Sequence, residues 1–442
     1  MKKTINCLLI IFAIFTVLAI SGHKVHAAET WSWVGPIEVL RDNFSKNGGS
    51  FGLTYSLDAG DCCCGGPATE DYYPESILID KDENIIIGDW VDAKIHVFSS
   101  AGVRLNIIKR DPSVKCNNGI YWPGSIYASE SAIIAKRSYC TEVYDYKGKL
   151  LWTLQPNGNV YPELIDVFPS KLIFKDFLNA PYDGGVRNEK NNLANGYTTY
   201  DIDGTKLSHV DQYTPSREIA ETSVRVGGIK YQNVFKKDER LSRWIDPGQD
   251  DDKHLYVARL EGQPEGFREN ITKFPSGRVD IYDVSGNRIY RLLLPLNEYS
   301  KNKRTCTGPE GGKAFAGRDV VSEYAKGLTV SNTGDIYTTL YVPRQLKIIK
   351  WVRIDLNKPI PTAVVSRLNK SSLRRLRNEI IARKGRIFTS KDLQEIFESQ
   401  PWYKPKADYS DNDLSNIDRD NIATILKIEK KSGNNKASTI SE

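Results

Sequence analysis

At 442 residues the chain is long for one domain, and its 61 lysines and arginines against 55 aspartates and glutamates leave a formal charge of +6. Residues 1–27 hold Lys2, Lys3 and Lys24 and no acid, so the balance falls to +3 without them. Nothing in so even a balance calls for a nucleic-acid partner.

Met1-Lys2-Lys3 is a positive start, Cys7–Ile20 an apolar run, and Val25-His26-Ala27 a small-residue cleavage site before Ala28. The run is about 14 residues, short of the ~20 that span a bilayer, so residues 1–27 read as a secretory signal peptide. No second long apolar run follows, so no transmembrane segment is expected after cleavage. Residues 28–73 read as an N-terminal strand, Trp31–Leu40, and a Cys-rich loop, the strand being placed to close a ring from the N-terminal side. With Cys7 removed, six cysteines remain: Cys62, Cys63, Cys64, Cys116, Cys140 and Cys306. An even count outside the cytoplasm favours disulfides, and fifteen pairings are open. A soft-metal site at the triplet is the alternative, but no His stands near it.

Pro74–Ile108 states a unit. Ser76–Asp80 and Ile85–Asp89 flank the turn Lys81-Asp82-Glu83-Asn84; Lys94–Phe98 and Val103–Ile108 flank a second turn ending at Gly102. Four short strands cannot bury both faces alone, which calls for copies around an axis. The second turn recurs at Val143–Gly148, Thr199–Gly204 and Ile281–Gly286, always with Gly four places after an aromatic residue. Val234–Leu241 fits a further copy, with Glu239 in the Gly position, and Gly327–Ile354 a last one. The fold expected over 74–355 is a roughly six-bladed β-propeller. A β-sandwich shares the short strands but not the recurring aromatic-to-Gly spacing.

The unit resembles NHL-type repeats in its Asp-rich first turn, Asp89, Lys94 and aromatic-x-x-x-Gly turn. Some similar exported propellers are lactonases or other hydrolases with a metal held by Glu, Asn and Asp, so that resemblance implies a metal-dependent hydrolase as one reading. Here Asp80, Asp82, Glu83, Asp89, Asp201, Asp203 and Asp250-Asp251-Asp252 fall mostly in turns, where Asp bonds its own backbone. His96, His209 and His254 stand far apart, and His96, between Ile95 and Val97, reads as surface or half-buried. There is no H-E-x-x-H, no G-x-S-x-G and no D-x-D-x-D-G loop. No catalytic residue, metal ligand or cofactor is assigned.

After a linker at 356–365 the period turns from two to 3.6, and residues 366–430 read as a small all-α, three-helix domain. Arg367–Arg386 holds eight bases and one acid, Glu379. Leu373, Leu376 and Ile380 mark one face of a first helix capped by Ser371 or Ser372 and ended by Gly385. A second runs about Ser390–Ser399 before Pro401. A third starts near Ser415, with Asp418 completing a capping box and Ile422, Ile425 and Leu426 inward. Lys430 and beyond lack an apolar face, and 431–442 is expected to be a disordered tail.

Arg377–Phe388, then Leu393, Phe397, Trp402-Tyr403, Leu414 and Asn421-Ile422, resemble the YARHG domain of bacterial exported proteins, with Ile381 for its Tyr and Lys384 for its His. The resemblance implies a small extracellular module and assigns structural roles to Asn378, Ala382, Gly385, Phe388, Trp402 and Tyr403. Arg374, Arg375, Arg383, Lys384 and Arg386 are the candidate binding residues, a basic face for an anionic cell-envelope polymer or another exported protein. The sequence thus reads as an extracytoplasmic, non-enzymatic binding protein. The alternative is the metal-dependent hydrolase or lactonase in the propeller channel.

Overall fold

A computed structural model describes residues 30–43, 54–59, 68–72, 76–89, 94–109, 114, 125–137, 140–157, 159–178, 182–183, 186–187, 194–220, 223–232, 234, 248–260, 277–294, 305–307, 313–315, 329–342 and 345–434. Val34–Arg353 forms one compact unit; Ile354–Glu442, with the N-terminal residues up to Trp33, forms the other.

The first unit is a six-bladed propeller. Its first sheet is the antiparallel meander Ser76–Ile79, Ile85–Asp89, Lys94–Phe98, Arg104–Lys109. The second is Ser125–Ala128, Ala132–Arg137, Cys140–Asp145, Leu150–Leu154, and the third Val160–Val167, Lys171–Leu178, Ala194–Asp201, Lys206–Val210. The fourth has, among the described residues, three short strands, Glu218–Ile219, Val224–Val226 and Ile229–Tyr231; the fifth is Gly248–Gln249, Leu255–Leu260, Gly277–Tyr282, Arg288–Leu293. In the sixth, Thr329–Val330, Ile336–Val342 and Gln345–Asp355 are completed by the N-terminal strand Trp31–Asn43, which lies outermost beside the last strand. The inner strand Ser76–Ile79 lies against Ser125–Ala128 on one side and Thr329–Val330 on the other, so first and last sheets are neighbours and the ring closes. Closure gives the first and last sheets each a neighbour to bury a face against.

Apolar faces bury between the sheets. Ile85, Ile87 and Phe98 cluster with Tyr337, Leu346 and Ile348 across the closure, Ile86 and Val97 with Ile133 and Tyr144, and Val143 with Leu172 and Phe174. The repeated turn works as its composition implies. Asp145 Oδ1 accepts from the amides of Lys147 (2.9 Å) and Lys149 (2.8 Å), and Asp283 Oδ1 from those of Ser285 (2.9 Å) and Asn287 (2.8 Å). Gly148 (φ 93°) and Gly286 (φ 82°) take the left-handed conformation that follows. Gly204 meets a further constraint, because a Cβ there would stand 2.8 Å from the Trp152 ring of the preceding blade.

The residue two before each turn aromatic is polar and buried: His96, Glu142, Thr198 and Asp280. His96 is therefore neither at the surface nor half-buried. It is fully enclosed, with Asp89 Oδ2 3.6 Å from its Nε2, because it shares the inter-blade face with Phe98. The copy expected at Val234–Leu241 lies outside the described residues except for buried Val234; the fourth sheet's strands come from 218–231.

Among the described residues the second unit has four helices: α1 (Thr362–Val365), α2 (Lys370–Ala382), α3 (Lys391–Glu398) and α4 (Asn416–Asn434), with a 3₁₀ turn at Asp411–Asp413. The stretch read as a linker, 356–365, holds α1 and is tied down by Asn421, whose Oδ1 accepts from Ile360 N (3.0 Å) and whose Nδ2 donates to Leu356 O (3.1 Å) and Lys358 O (3.0 Å). Asn369, not a serine, caps α2, its Oδ1 accepting from Ser372 N at 2.8 Å. In α4 the Ser415–Asp418 capping box forms, but the buried face is Asp418, Asn421, Ile425 and Ile428; Leu426 is 37% exposed. A helix started at Asn416 turns 418, 421, 425 and 428 to one side, which carries Leu426 away. It also continues through Asn434, four residues into the expected tail. Ala382, Leu393, Phe397 and Tyr403, with Phe388, Ile396 and Trp402 against them, form the core.

Candidate functional site

One described cluster has the donors of a metal site: Asp250, Asp252 and His254. It is built by the first turn of the fifth sheet, whose frame is that of the first sheet. Asp80 Oδ1 accepts from Asn84 N (2.8 Å) and Asp80 Oδ2 from Asn84 Nδ2 (2.9 Å); likewise Asp250 Oδ1 accepts from His254 N (2.8 Å), and Asp250 Oδ2 lies 3.0 Å from His254 Nδ1. The fourth residue of both turns takes positive φ, Glu83 at 61° and Lys253 at 65°, where the sixth sheet has Gly334 at 86°. Arg353, from the last strand, occupies the cluster: its two terminal nitrogens reach Asp250 Oδ2 and Asp252 Oδ2, each at 2.8 Å. Tyr256 donates to Asp250 Oδ2 at 2.8 Å. Burial alone would raise the Asp250 carboxyl, but hydrogen bonds from His254 and Tyr256 hold it below the usual carboxylate range. The Tyr256 phenol is pushed well up by burial and by the Asp250 charge. The arrangement holds the fifth and sixth blades together.

At the sixth-to-first joint Glu83 plays the corresponding part. It accepts from Thr333 Oγ1 (3.0 Å) and Tyr337 OH (3.2 Å), while Lys350 binds Asp335 at 2.6 Å and lies over the Tyr337 ring. Burial raises the Asp335 carboxyl despite that lysine.

The basic run of the helical unit separates into two sets. Arg374 stays 41% exposed and pairs with Asp392 (2.6 Å) and Ser390 Oγ (2.9 Å); its hydrogen bond, with that of Ser390, holds the Asp392 carboxyl far below its ordinary value. Arg386 is 46% exposed, 3.9 Å from Asp411, and Arg375 is part-exposed. Arg383, by contrast, is drawn inside to 10% exposure. It donates to Glu379 Oε1 at 2.8 Å and to Trp31 O at 2.6 Å, and its guanidinium lies 4.2 Å from the Trp402 ring centre. Lys384 pairs with buried Asp418 at 2.9 Å. Burial would raise the Asp418 carboxyl, yet hydrogen bonds from Ser415 and Lys384 lower it. Arg383, Lys384 and Asp418 share the wall of a cavity of about 210 Å³ with Thr30, Leu356 and Ile380.

The remaining motif residues build the frame. Asn378 Nδ2 donates to Arg374 O (2.7 Å), Ala382 is fully buried, and Gly385 takes φ 101° where a Cβ would come within 2.9 Å of Lys404 O. Phe388 and Trp402 pack with tilted rings against Phe397, and Tyr403 donates to Arg386 O at 2.8 Å. Cys140 is buried at the head of its strand; Cys62, Cys63, Cys64 and Cys116, and the side chain of Cys306, lie outside what is described. Arg353 and Asn421 carry the largest contacts that sequence reasoning did not assign. The one signal for Arg383 was Glu379, the sole acid of its run, four residues before it.

Residues 348–430 match the YARHG domain, so the chain carries that domain over most of its last strand and its helices. Similar solved structures include a DUF4221 family member from Bacteroides vulgatus (9% identity, 74% of this chain and 99% of that one, TM-score 0.40). The Neurospora crassa Pan2 WD40 domain (10%, 73% and 96%, 0.36) and virginiamycin B lyase from Staphylococcus aureus (12%, 63% and 95%, 0.32) are others. No curated protein matches the sequence.

Proposed function

We propose that the protein is an exported, non-enzymatic binding protein of the cell envelope, the propeller serving as scaffold and the exposed cations of the YARHG domain as contact surface for an anionic envelope polymer. Arg353 carries the reading against chemistry in the propeller: the described cluster with metal-ligand donors is filled by the protein's own guanidinium. On the helical unit, Arg374, Arg375 and Arg386 stand at the surface, and the exposed pairs Arg374–Asp392 and Arg386–Asp411 are of the kind worth only about 0–1 kcal/mol, so a polyanion can displace the carboxylates. Arg383 is outside this set because Glu379 and Trp31 hold it. Cleavage after Ala27 and disulfides among Cys62, Cys63, Cys64, Cys116, Cys140 and Cys306 complete the proposal.

The test is cosedimentation of the mature protein with poly(glycerol phosphate) over a salt series. Binding is expected to weaken as salt rises and to fall at least about tenfold in Arg374→Glu/Arg375→Glu/Arg386→Glu, a loss of about 1.4 kcal/mol. Unaltered binding by that variant, or stoichiometric metal in the purified protein, overturns the reading. A count of free thiols on the same sample is expected to find none.

A further inference from the structure

The N-terminal strand and the last strand leave the sixth sheet as neighbours, and their ends are joined outside it: Leu356 N donates to Thr30 O at 2.9 Å. Two YARHG side chains then grip the two ends separately. Arg383 takes the carbonyl of Trp31, the first residue of the N-terminal strand, while Glu379 and the Trp402 face fix its guanidinium. Asn421, 2% exposed, takes Leu356, Lys358 and Ile360, the backbone that follows the last strand. The N-terminal strand needs such support. Among the described strands it stands at the outer end of its sheet, and edge strands are among the first to fray.

We propose that the YARHG domain is the clasp of the propeller's closure, and that its binding partner is the N-terminal segment of its own chain at Thr30-Trp31. The geometry distinguishes this from ordinary core packing. A guanidinium serving only to neutralise Glu379 has no use for a main-chain carbonyl from the opposite end of the sequence. An Asn serving only to fill α4's inner face would not satisfy three backbone groups of the turn that follows the last strand. The role of Arg383 and Asn421 is positional: they act on the sheet through the strands they hold.

Hydrogen exchange of the full mature chain tests it, read on peptides covering residues 31–43 with Ile85–Asp89 as the reference. Arg383→Lys keeps a cation beside Glu379 but cannot fork to Trp31 O as well. In it, and in Asn421→Ala, the amides of 31–43 are expected to exchange about tenfold faster, with the reference strand and the helical circular dichroism unchanged. Arg386→Ala is expected to match the wild type. Unchanged protection of 31–43 in both variants overturns the proposal, as does equal acceleration of the reference strand. If Arg383→Lys does not fold, Asn421→Ser supplies the second reading.

Discussion

The turns Asp80–Asn84 and Asp250–His254 have one backbone and different inventories. In the first, Asp80 closes its own turn on Asn84, and the turn's other acid, Glu83, reaches out to Thr333 and Tyr337 of the neighbouring sheet. In the second, the same closure uses His254, and Asp252 and Arg353 gather round it until the group looks like a metal centre. The difference teaches that an acidic cluster in a repeat must be compared with its sister turn before it is given chemistry. What remains after subtraction is Arg353 paired with both Asp250 and Asp252, and its role is to join two blades.

The largest effect expected from breaking that comparison is in the buried pair. Asp250→Ala leaves Arg353 without its enclosed partner and should cost about 3–5 kcal/mol in urea unfolding, whereas Asp80→Ala removes turn hydrogen bonds alone and should cost about 1–2 kcal/mol. Equal losses would make the two turns equivalent. Next comes a test of the α4 face. Ile428→Ala should lose about 2–4 kcal/mol and Leu426→Ala at most about 0.5 kcal/mol, which the order of their melting temperatures would show.

The pH response is smaller. Asp250 and Asp418 titrate below their unfolded values, so their contribution is complete above the unfolded carboxylate range near pH 4 and is lost as pH falls through the lower folded values. Asp335, raised by burial, has the opposite sign: its ionised form is disfavoured in the fold, so protonation offsets part of that acid loss. Urea midpoints between pH 5 and pH 3 should fall less steeply in Asp250→Asn than in the wild type. Last, Glu83→Gly and Glu83→Ala lose the same contacts to Thr333 and Tyr337, but Gly relieves the positive φ. The Gly variant should be the more stable by about 1 kcal/mol.

Much of the propeller was legible because its turn chemistry repeats: Tyr144, Tyr200 and Tyr282 each stand four residues before a positive-φ glycine, and the Trp31–Leu40 run was in place to close the ring. The fourth sheet was not, since strands of two or three residues at 218–231 leave neither alternation nor an aromatic-to-Gly turn to read. The helices were legible by period and caps, but a shift of register moved Leu426 outward. Arginines are harder to read. Arg374 and Arg383 look alike in sequence, and what separates them is a distant Trp31 carbonyl and the Trp402 face, neither of which local spacing can announce.

The N-terminal strand of the sixth sheet sets the order in which this protein can be finished. Residues 31–43 emerge first and find their place only beside residues 345–355, about 300 residues later. At about 5–20 residues per second, roughly 15–60 s of synthesis separate the two halves of that seam. The ring therefore cannot close before residues 345–355 are made, and the strand that seals it waits for a partner from the far end of the propeller.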